Sequence, residues 1–304
     1  MAPEWLWIPL TVWAGFAQTL RNAAQRHLVA GLGTMGATLV RFLFGLPFAL
    51  VYLGVVLALA GEALPSITPL FVFWVTEGGV SQILATALLL RVMHERNFAV
   101  GVAYSKTELV QVAVFAAVFL GDETTVLAAI AIVLATAGVL MLSPIDPRRR
   151  LLSLMQGWTS FTALMGVASG AFFALAAVGY RGAALELDEA PYALAAAYTL
   201  VWAMAIQVLL LGGWLLWRQR QVVVALVGVW KPSMLAGFMG AAASVGWFTA
   251  FAVEPAAHVR TLGLVELLFS FAVARRFFKE RLALAELAGV ALLGLALVMV
   301  TLGA

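Results

Sequence analysis

Ten long apolar segments constrain this chain more than any other feature of its sequence. A helix needs about 20 apolar residues to cross a hydrocarbon core of ~30 Å. Only helices or closed barrels satisfy backbone polar groups in lipid, and these segments lack the alternation of period two that a strand shows. The sequence therefore predicts an all-α integral membrane protein with ten transmembrane helices. The predicted spans are 5–25, 34–59, 69–92, 98–120, 125–143, 157–179, 191–217, 233–253, 256–278 and 283–302.

Composition supports this interpretation. Of the 304 residues, 64% are hydrophobic and 11% are charged, against roughly 45–50% and about 25% in a soluble domain. So few charges cannot cover a soluble globule of this size, and a soluble enzyme or a disordered chain is excluded. Net charge is only +3 and the basic residues do not form a stripe, so we expect the lipid bilayer as a partner and no nucleic acid.

The distribution of Lys and Arg predicts the orientation in the membrane. Fourteen of the 18 basic residues fall in or beside the odd-numbered connectors, those joining spans 1–2, 3–4, 5–6, 7–8 and 9–10. The even connectors hold only Arg181 and Arg260. We therefore expect the odd connectors in the cytoplasm and both termini outside, in a bacterial-type inner membrane. Because Glu4 stands where a signal peptide has basic residues, we expect the first span to be permanent.

An internal repeat divides the chain. A shift of 158 positions places Glu108-Leu109 on Glu266-Leu267, and a linker at 144–156 separates 1–143 from 157–304. Each half holds five predicted spans, and an odd number forces the two copies into opposite orientation. This pattern is typical of the inverted repeats of secondary transporters. Chance matching between apolar helices is the alternative explanation.

The same residues resemble the EamA-like branch of the drug/metabolite transporter superfamily. That family carries a Gly-Glu-Arg turn after the fourth helix of each half, and here the corresponding turns lie at 119–123 and 278–282, each departing by one position. Arg41 matches a basic residue common in the second helix of the family. Within the superfamily the chain is most similar to the YddG-type aromatic amino-acid exporters. The resemblance implies two inverted five-helix halves around a central cavity, and export of amino acids or related metabolites.

Ionisable residues inside the predicted spans indicate where a site would lie, because a charge in the bilayer normally faces a cavity or a partner. Glu108 and Glu266 each lie ten residues into their span, about 15 Å deep at 1.5 Å per residue. Tyr104, Glu108 and Gln111 share one helix face, which predicts an acceptor for an ammonium group beside an aromatic ring. The alternative is that the glutamates only bond neighbouring helices.

The other candidate residues can be interpreted in more than one way. Lys106 lies two positions from Glu108, so we expect it on the opposite side of the helix, paired with Glu77. Arg41 is close enough to a span end to reach the interface. His258 and Arg260 either line a cavity entrance or anchor the helix. Trp202 and Trp247 lie mid-span, with Ser244 on the face of Trp247. The candidate substrate-binding residues are Glu77, Tyr104, Lys106, Glu108, Gln111, Trp202, Ser244, Trp247, His258 and Glu266.

No metal or cofactor is expected. The chain has no cysteine, and its three histidines are far apart. Residues 31–36 match the letters G-x-G-x-x-G, but they join two apolar spans and lack the strand that a dinucleotide site requires, so they predict a turn. No Walker A sequence is present, so we do not expect ATP to drive the protein directly.

Three functions remain to be compared at this stage. A secondary carrier exporting small metabolites, with amino acids bearing aromatic or apolar side chains first and cationic drugs as an alternative, fits the repeat and the two mid-span glutamates. An intramembrane enzyme would need a nucleophile–base pair or a metal cluster in the bilayer, and the sequence supplies neither. A membrane scaffold would not need polar residues at equivalent mid-span positions. The sequence leaves the oligomeric state open.

Overall fold

The computed structural model of the chain describes residues 3, 5–95, 105–106, 108–121, 125–142, 161–187 and 189–269, with scattered positions between 272 and 299. Tyr104 and the predicted linker at 144–156 lie outside the described residues. Within them the chain forms helices and no strand.

The helices follow the apolar segments of the sequence. They are α1 (Trp7–Leu43), α2 (Leu46–Ala60), α3 (Pro69–Glu95), α4 (Glu108–Leu120), α5 (Val126–Leu142), α6 (Phe161–Leu185), α7 (Tyr192–Gln207), α8 (Gly213–Arg218), α9 (Arg220–Gly228), α10 (Trp230–Val253) and α11 (Ala256–Leu262). A π-helical turn at Val208–Gly212 joins α7 to α8 without a break, while α9 lies in the predicted connector before α10.

Five helical stretches of the described chain are long and apolar enough to cross a membrane. One of them, Trp7–Ala60, has 54 residues, more than twice what one crossing needs. The chain reverses within it at Gly33, where φ is 66° and ψ is 175°, a conformation essentially restricted to glycine. Gln25 Nε2 donates to Ala37 O at 2.7 Å, although a straight helix would separate these residues by about 18 Å. The predicted turn is confirmed.

The exposed surface of the described helices is apolar, unlike the surface of a soluble protein. Large apolar side chains cover the exposed faces of the helices, among them Leu59, Val126, Leu209, Trp217 and Val227. Buried positions, in contrast, include charged residues from four separate helices. An apolar exterior is what a hydrocarbon environment requires. The protein is therefore an α-helical membrane-embedded protein.

Two helix pairs form the most extensive interfaces in the described chain, α1 with α10 and α3 with α6. At the first, Gly240 of α10 lies against two buried arginines of α1: a Cβ placed on it would lie at contact distance, 3.5 Å, from both Arg21 Cδ and Arg41 Cβ. A larger side chain there would displace two buried arginines. This interface brings the polar residues of α1 toward the centre of the molecule.

The predicted fourth and ninth spans are not continuous helices. In the fourth, Lys106 lies in a turn and α4 begins at Glu108. In the ninth, α11 ends at Leu262, a turn follows at Gly263 and Leu264, and helix resumes over 265–269. The apolar runs alone predicted uninterrupted helices over 98–120 and 256–278, and this expectation is wrong at these two places.

Candidate functional site

Glu266 lies at the centre of a buried polar cluster in the interior of the bundle. The central cluster consists of Gln18, Asn22, Lys106, Glu108, Arg260 and Glu266. Glu266 Oε2 accepts hydrogen bonds from Lys106 Nζ at 2.7 Å and from Gln18 Nε2 at 2.8 Å, and Oε1 accepts one from Asn22 Nδ2 at 3.0 Å. Three donors therefore offset the burial of this carboxylate, which would be costly if it were left unpaired.

Lys106 pairs with Glu266 instead of the predicted Glu77. Its ammonium also lies 3.7 Å from Glu108 Oε1, so it stands between the two carboxylates that the sequence placed at mid-span. The expected Lys106–Glu77 pair assumed a continuous helix, in which positions i and i+2 face opposite sides. Because the helix is interrupted at Lys106, that assumption fails and the side chain turns inward.

The two helix interruptions position the charges. Glu108 is the first residue of α4, and Glu266 is the second residue of the helical turn that follows Gly263 and Leu264. Each carboxylate thus lies in the first turn of a helical segment, next to a tight backbone turn: Leu109 N donates to Lys106 O at 3.3 Å, and Glu266 N donates to Gly263 O at 3.0 Å. The same local geometry holds both glutamates.

Arg260 forms the wall of the central cluster opposite Glu266. Its Nη1 lies 4.0 Å from Glu108 Oε1, beyond hydrogen-bond distance, and its Nε is buried without a hydrogen-bond partner among the described residues. The guanidinium lies over the ring of Trp247 at 4.8 Å and near that of Phe251 at 5.3 Å. Arg260 therefore contacts two aromatic faces in addition to the carboxylate of Glu108.

Trp247 connects this wall to α1. Its indole Nε1 donates to Gln18 Oε1 at 3.0 Å, while the amide of Gln18 donates to Glu266. A chain of hydrogen bonds therefore runs from Trp247 through Gln18 to the central carboxylate. The sequence predicts Trp247 as a cavity-lining residue, and its ring lies against Arg260 rather than among the residues that line the central cavity.

The polar face of α1 was missed by the sequence-based assignment. Gln18, Arg21, Asn22 and Gln25 follow helical spacing of three or four residues within an apolar span, and that periodicity was the available signal. Arg21 is buried and donates to Asn22 Oδ1 through Nη2 at 2.7 Å. It was counted as a connector residue, and it lies instead inside the fold. Thirteen basic residues still favour the odd connectors.

Arg41 is also fully enclosed. It was expected to reach an interface, but its residue is 2% exposed, and Nη1 donates to Thr86 Oγ1 at 3.2 Å. Its Nε has no hydrogen-bond partner in the part of the chain that the structure describes. The flat side of the guanidinium lies 5.0 Å from the centre of the Phe42 ring. Arg41 thus lacks the carboxylate that buried arginines normally have.

A neutral hydrogen-bond network links α3, α6 and α7. Gln207 Nε2 lies 2.8 Å from Gln82 Oε1 and 3.0 Å from the Tyr180 hydroxyl oxygen, and Tyr180 donates to Gln82 Oε1 at 3.0 Å. No formal charge is present among these three side chains. The network stabilises the contacts of the three helices rather than contributing to the central cluster.

The remaining predicted residues lie elsewhere in the fold. Trp202 packs edge-on against Phe71 and Tyr198, with ring centres 6.3 Å apart in both pairs. Glu77 accepts a hydrogen bond from Ser81 Oγ at 2.8 Å. His258 is buried and its Nδ1 lies 2.6 Å from Glu254 Oε1.

Two further candidates lie in or beside the interior without joining the central cluster. Ser244 is buried in α10 but does not line the central cavity. Gln111 is half-buried in α4, and its Oε1 has no hydrogen-bond partner among the described residues. Neither side chain contributes a charge.

The central cluster is closed in this conformation. The cavity that it lines measures about 10 Å³, roughly the volume that one water molecule requires, and Leu89, Ser105 and Phe173 complete its wall. Lys106, Glu108, Arg260 and Glu266 are each no more than 6% exposed. Any larger solute would need the surrounding helices to move apart.

A larger cavity of about 430 Å³ lies between the loops at 61–68 and 186–191. Glu62, Glu186 and Glu189 give it an acidic lining, and none of its lining residues belongs to the central cluster. It is a separate feature at the ends of the helices. Among the described residues, no group of three or more His, Asp or Glu side chains is placed to hold a metal ion.

The central cluster has the chemistry of a binding site for a small charged solute. It offers carboxylate, ammonium, guanidinium and amide groups beside the aromatic surface of Trp247, Phe251 and Phe173.

Comparison with known proteins bears on the fold of this chain. No protein-family model and no curated protein matches the chain. Among solved structures, 28 chains match. One, described only as "Crystal structure of protein", aligns with a TM-score of 0.59 at 14% sequence identity, over 97% of this chain and 99% of its own. At this identity the likeness shows a shared fold over almost the whole length of both chains.

Proposed function

We propose that this protein is a secondary carrier that exports small metabolites, most of all amino acids with aromatic or apolar side chains, by alternating access. The observation that carries the proposal is the central cluster: charged residues buried at two helix interruptions inside a membrane protein. Secondary carriers bind their substrates at discontinuous helices near the middle of the membrane. The cost of keeping charge there is difficult to explain for a passive scaffold.

The positions of the two interruptions support an inverted repeat of five plus five spans. Leu109 N donates to Lys106 O at 3.3 Å, and Leu267 N donates to Leu264 O at 2.8 Å. These donors and acceptors are related by the shift of 158 that aligned the two halves in sequence. A chance alignment of apolar helices would not be expected to pair two turns in this way.

Helix packing gives the proposal independent support. The two most extensive interfaces join the predicted spans 1 with 8 and 3 with 6, as α1–α10 and α3–α6. Exchanging the halves converts span 1 into span 6 and span 8 into span 3. Each interface therefore maps onto the other, as two-fold related halves require.

The closed cavity fits an occluded state of such a carrier. Lys106 Nζ lies 2.7 Å from Glu266 Oε2 and 3.7 Å from Glu108 Oε1, so it occupies the place that the ammonium group of a substrate would take beside these carboxylates. In the proposed cycle, rocking of the two halves opens the cavity to one side, and Lys106 and the substrate exchange contacts with the two carboxylates. When the two halves close around the substrate, the buried charges are paired again, and the substrate is then released on the other side of the membrane.

Flux measurements in proteoliposomes test the carrier proposal. We expect the purified protein to move phenylalanine across the membrane, and Glu108→Gln and Glu266→Gln to lower that flux at least about tenfold, since each removes a charge-assisted contact. Glu62→Gln, at an exposed loop position, is the matched control and should transport normally. Wild-type flux in both buried variants, at equal insertion, would show that the carboxylates are structural.

A further inference from the structure

The buried charges of this protein do not balance. Among the described residues the fully buried cations are Arg21, Arg41, Lys106 and Arg260, and the fully buried carboxylates are Glu108 and Glu266. Arginine remains protonated in proteins. The fully buried residues that the structure describes therefore carry two positive charges more than negative ones when Lys106 is charged, and an unpaired charge in a low-dielectric interior is strongly unfavourable.

Arg21, Arg41 and Arg260 share this excess, because Glu108 is the fully buried carboxylate left to them in the described chain once Glu266 is paired with Lys106. Glu266 is matched by Lys106 at 2.7 Å, while Glu108 is approached by Lys106 at 3.7 Å and by Arg260 at 4.0 Å. Arg41 bonds only the hydroxyl of Thr86, and the Nε atoms of both arginines are buried without partners in the described chain. Donors that are enclosed and unused indicate a missing acceptor.

The cations lie close enough to act together. Arg21 and Arg41 pack on the same face of Gly240, and Arg41 interacts electrostatically with both Arg21 and Arg260. The half-buried carboxylate of Glu77 makes no ion pair with these arginines among the described residues, and its Oε1 accepts a hydrogen bond from Ser81.

We infer that the substrate of the proposed carrier is an organic anion, in which a carboxylate binds Arg260 and an apolar or aromatic group lies against the neighbouring rings. A carboxylate matches the planar donors of a guanidinium. Trp247, Phe251 and Phe173 supply aromatic surface beside it. This inference rests on the proposed carrier function. It makes organic anions, instead of zwitterions or cations, the preferred substrates of the carrier.

Three ligands of matched shape test the charge preference. They are 3-phenylpropionate, phenylalanine and phenethylamine, which carry net charges of −1, 0 and +1. In thermal unfolding of the detergent-solubilised protein, we expect 3-phenylpropionate to raise the midpoint at the lowest concentration and phenethylamine to have no effect. Tighter binding of phenylalanine or phenethylamine than of 3-phenylpropionate, or binding of none of the three, would overturn the inference.

Variants separate a specific site from a general charge effect. Arg260→Gln should weaken 3-phenylpropionate binding at least about tenfold, because it removes a charge-assisted contact, and Arg41→Gln should weaken it less. The exposed Arg220→Gln is the matched control. Without ligand, Arg41→Gln should unfold at a higher temperature than wild type, since an unpaired buried charge is removed. A lower temperature would identify Arg41 as a structural residue and contradict the charge excess.

Two further measurements complete the test. The first separates binding of a carboxylate from binding of any anion, and the second separates the anion preference from the carrier function. Sodium phosphate and sodium chloride at matched ionic strength should not reproduce the shift, and an equal shift would overturn the carboxylate assignment. Phenylalanine flux that depends on Glu266, without any binding of 3-phenylpropionate, would leave the carrier function intact and overturn only the anion preference. Binding of 3-phenylpropionate that depends on Arg260, without flux of any ligand, would overturn the carrier function alone.

Discussion

Lys106 Nζ and Glu266 Oε2 are 2.7 Å apart although 160 positions separate them in the sequence. The pair joins the interruption before α4 to the one after α11, and both side chains are enclosed. An ion pair in a low-dielectric interior is strong only while both partners are present. This relationship makes the two interrupted segments dependent on each other.

We expect Lys106→Met to lower the free energy of unfolding by about 3–5 kcal/mol, because Glu266 is left charged and buried. Glu266→Gln combined with Lys106→Met should recover part of that loss. The measurement is a double-mutant cycle of denaturant unfolding in detergent. Strict additivity of the two substitutions would mean that the pair is not coupled.

Trp247→Phe should lower the free energy of unfolding by about 1–3 kcal/mol, because Gln18 Oε1 loses its donor inside the protein. The exposed Trp230 at the start of α10 provides the comparison, and Trp230→Phe should remain within about 0.5 kcal/mol of wild type. Equal losses in both variants would argue that the Trp247–Gln18 hydrogen bond contributes nothing specific.

Gly33→Ala should destabilise the protein by about 1–3 kcal/mol, since φ of 66° with ψ of 175° is accessible essentially to glycine alone. Gly31→Ala is the control two positions earlier, where the backbone is helical and a Cβ would meet nothing within 4 Å. It should be neutral or slightly stabilising. Thermal unfolding of both variants measures the difference, and the reverse order would contradict the turn.

Single cysteines test the proposed orientation without a background signal, because the natural chain has none. In intact cells of a bacterial host, a membrane-impermeant maleimide should label Glu62→Cys and Glu189→Cys, at exposed loop positions that we place outside. Gln221→Cys, in the basic connector before α10, should react only after the membrane is opened. Labelling of Gln221→Cys in intact cells would reverse the topology.

The sequence predicts which segments form helices and that these helices lie in a membrane, because both properties depend on local composition. A run of about 20 apolar residues is committed to a helix in lipid wherever it lies in the chain. The helices α3 and α10 begin and end within a few residues of their predicted bounds, as does the continuous helical stretch Tyr192–Arg218. The turn at Gly33 was also local, since glycine spacing between two apolar runs indicated it.

Side-chain partnerships depended on the tertiary structure. Glu108 and Glu266 were identified as mid-span charges from the sequence, but the interruption at Lys106 and the inward turn of its ammonium were not, because both depend on contacts with a segment 160 positions away. The burial of Arg21 and Arg41 was missed for the same reason. Apolar periodicity reports which residues leave water, whereas the pairing of buried charges is set by which helices meet.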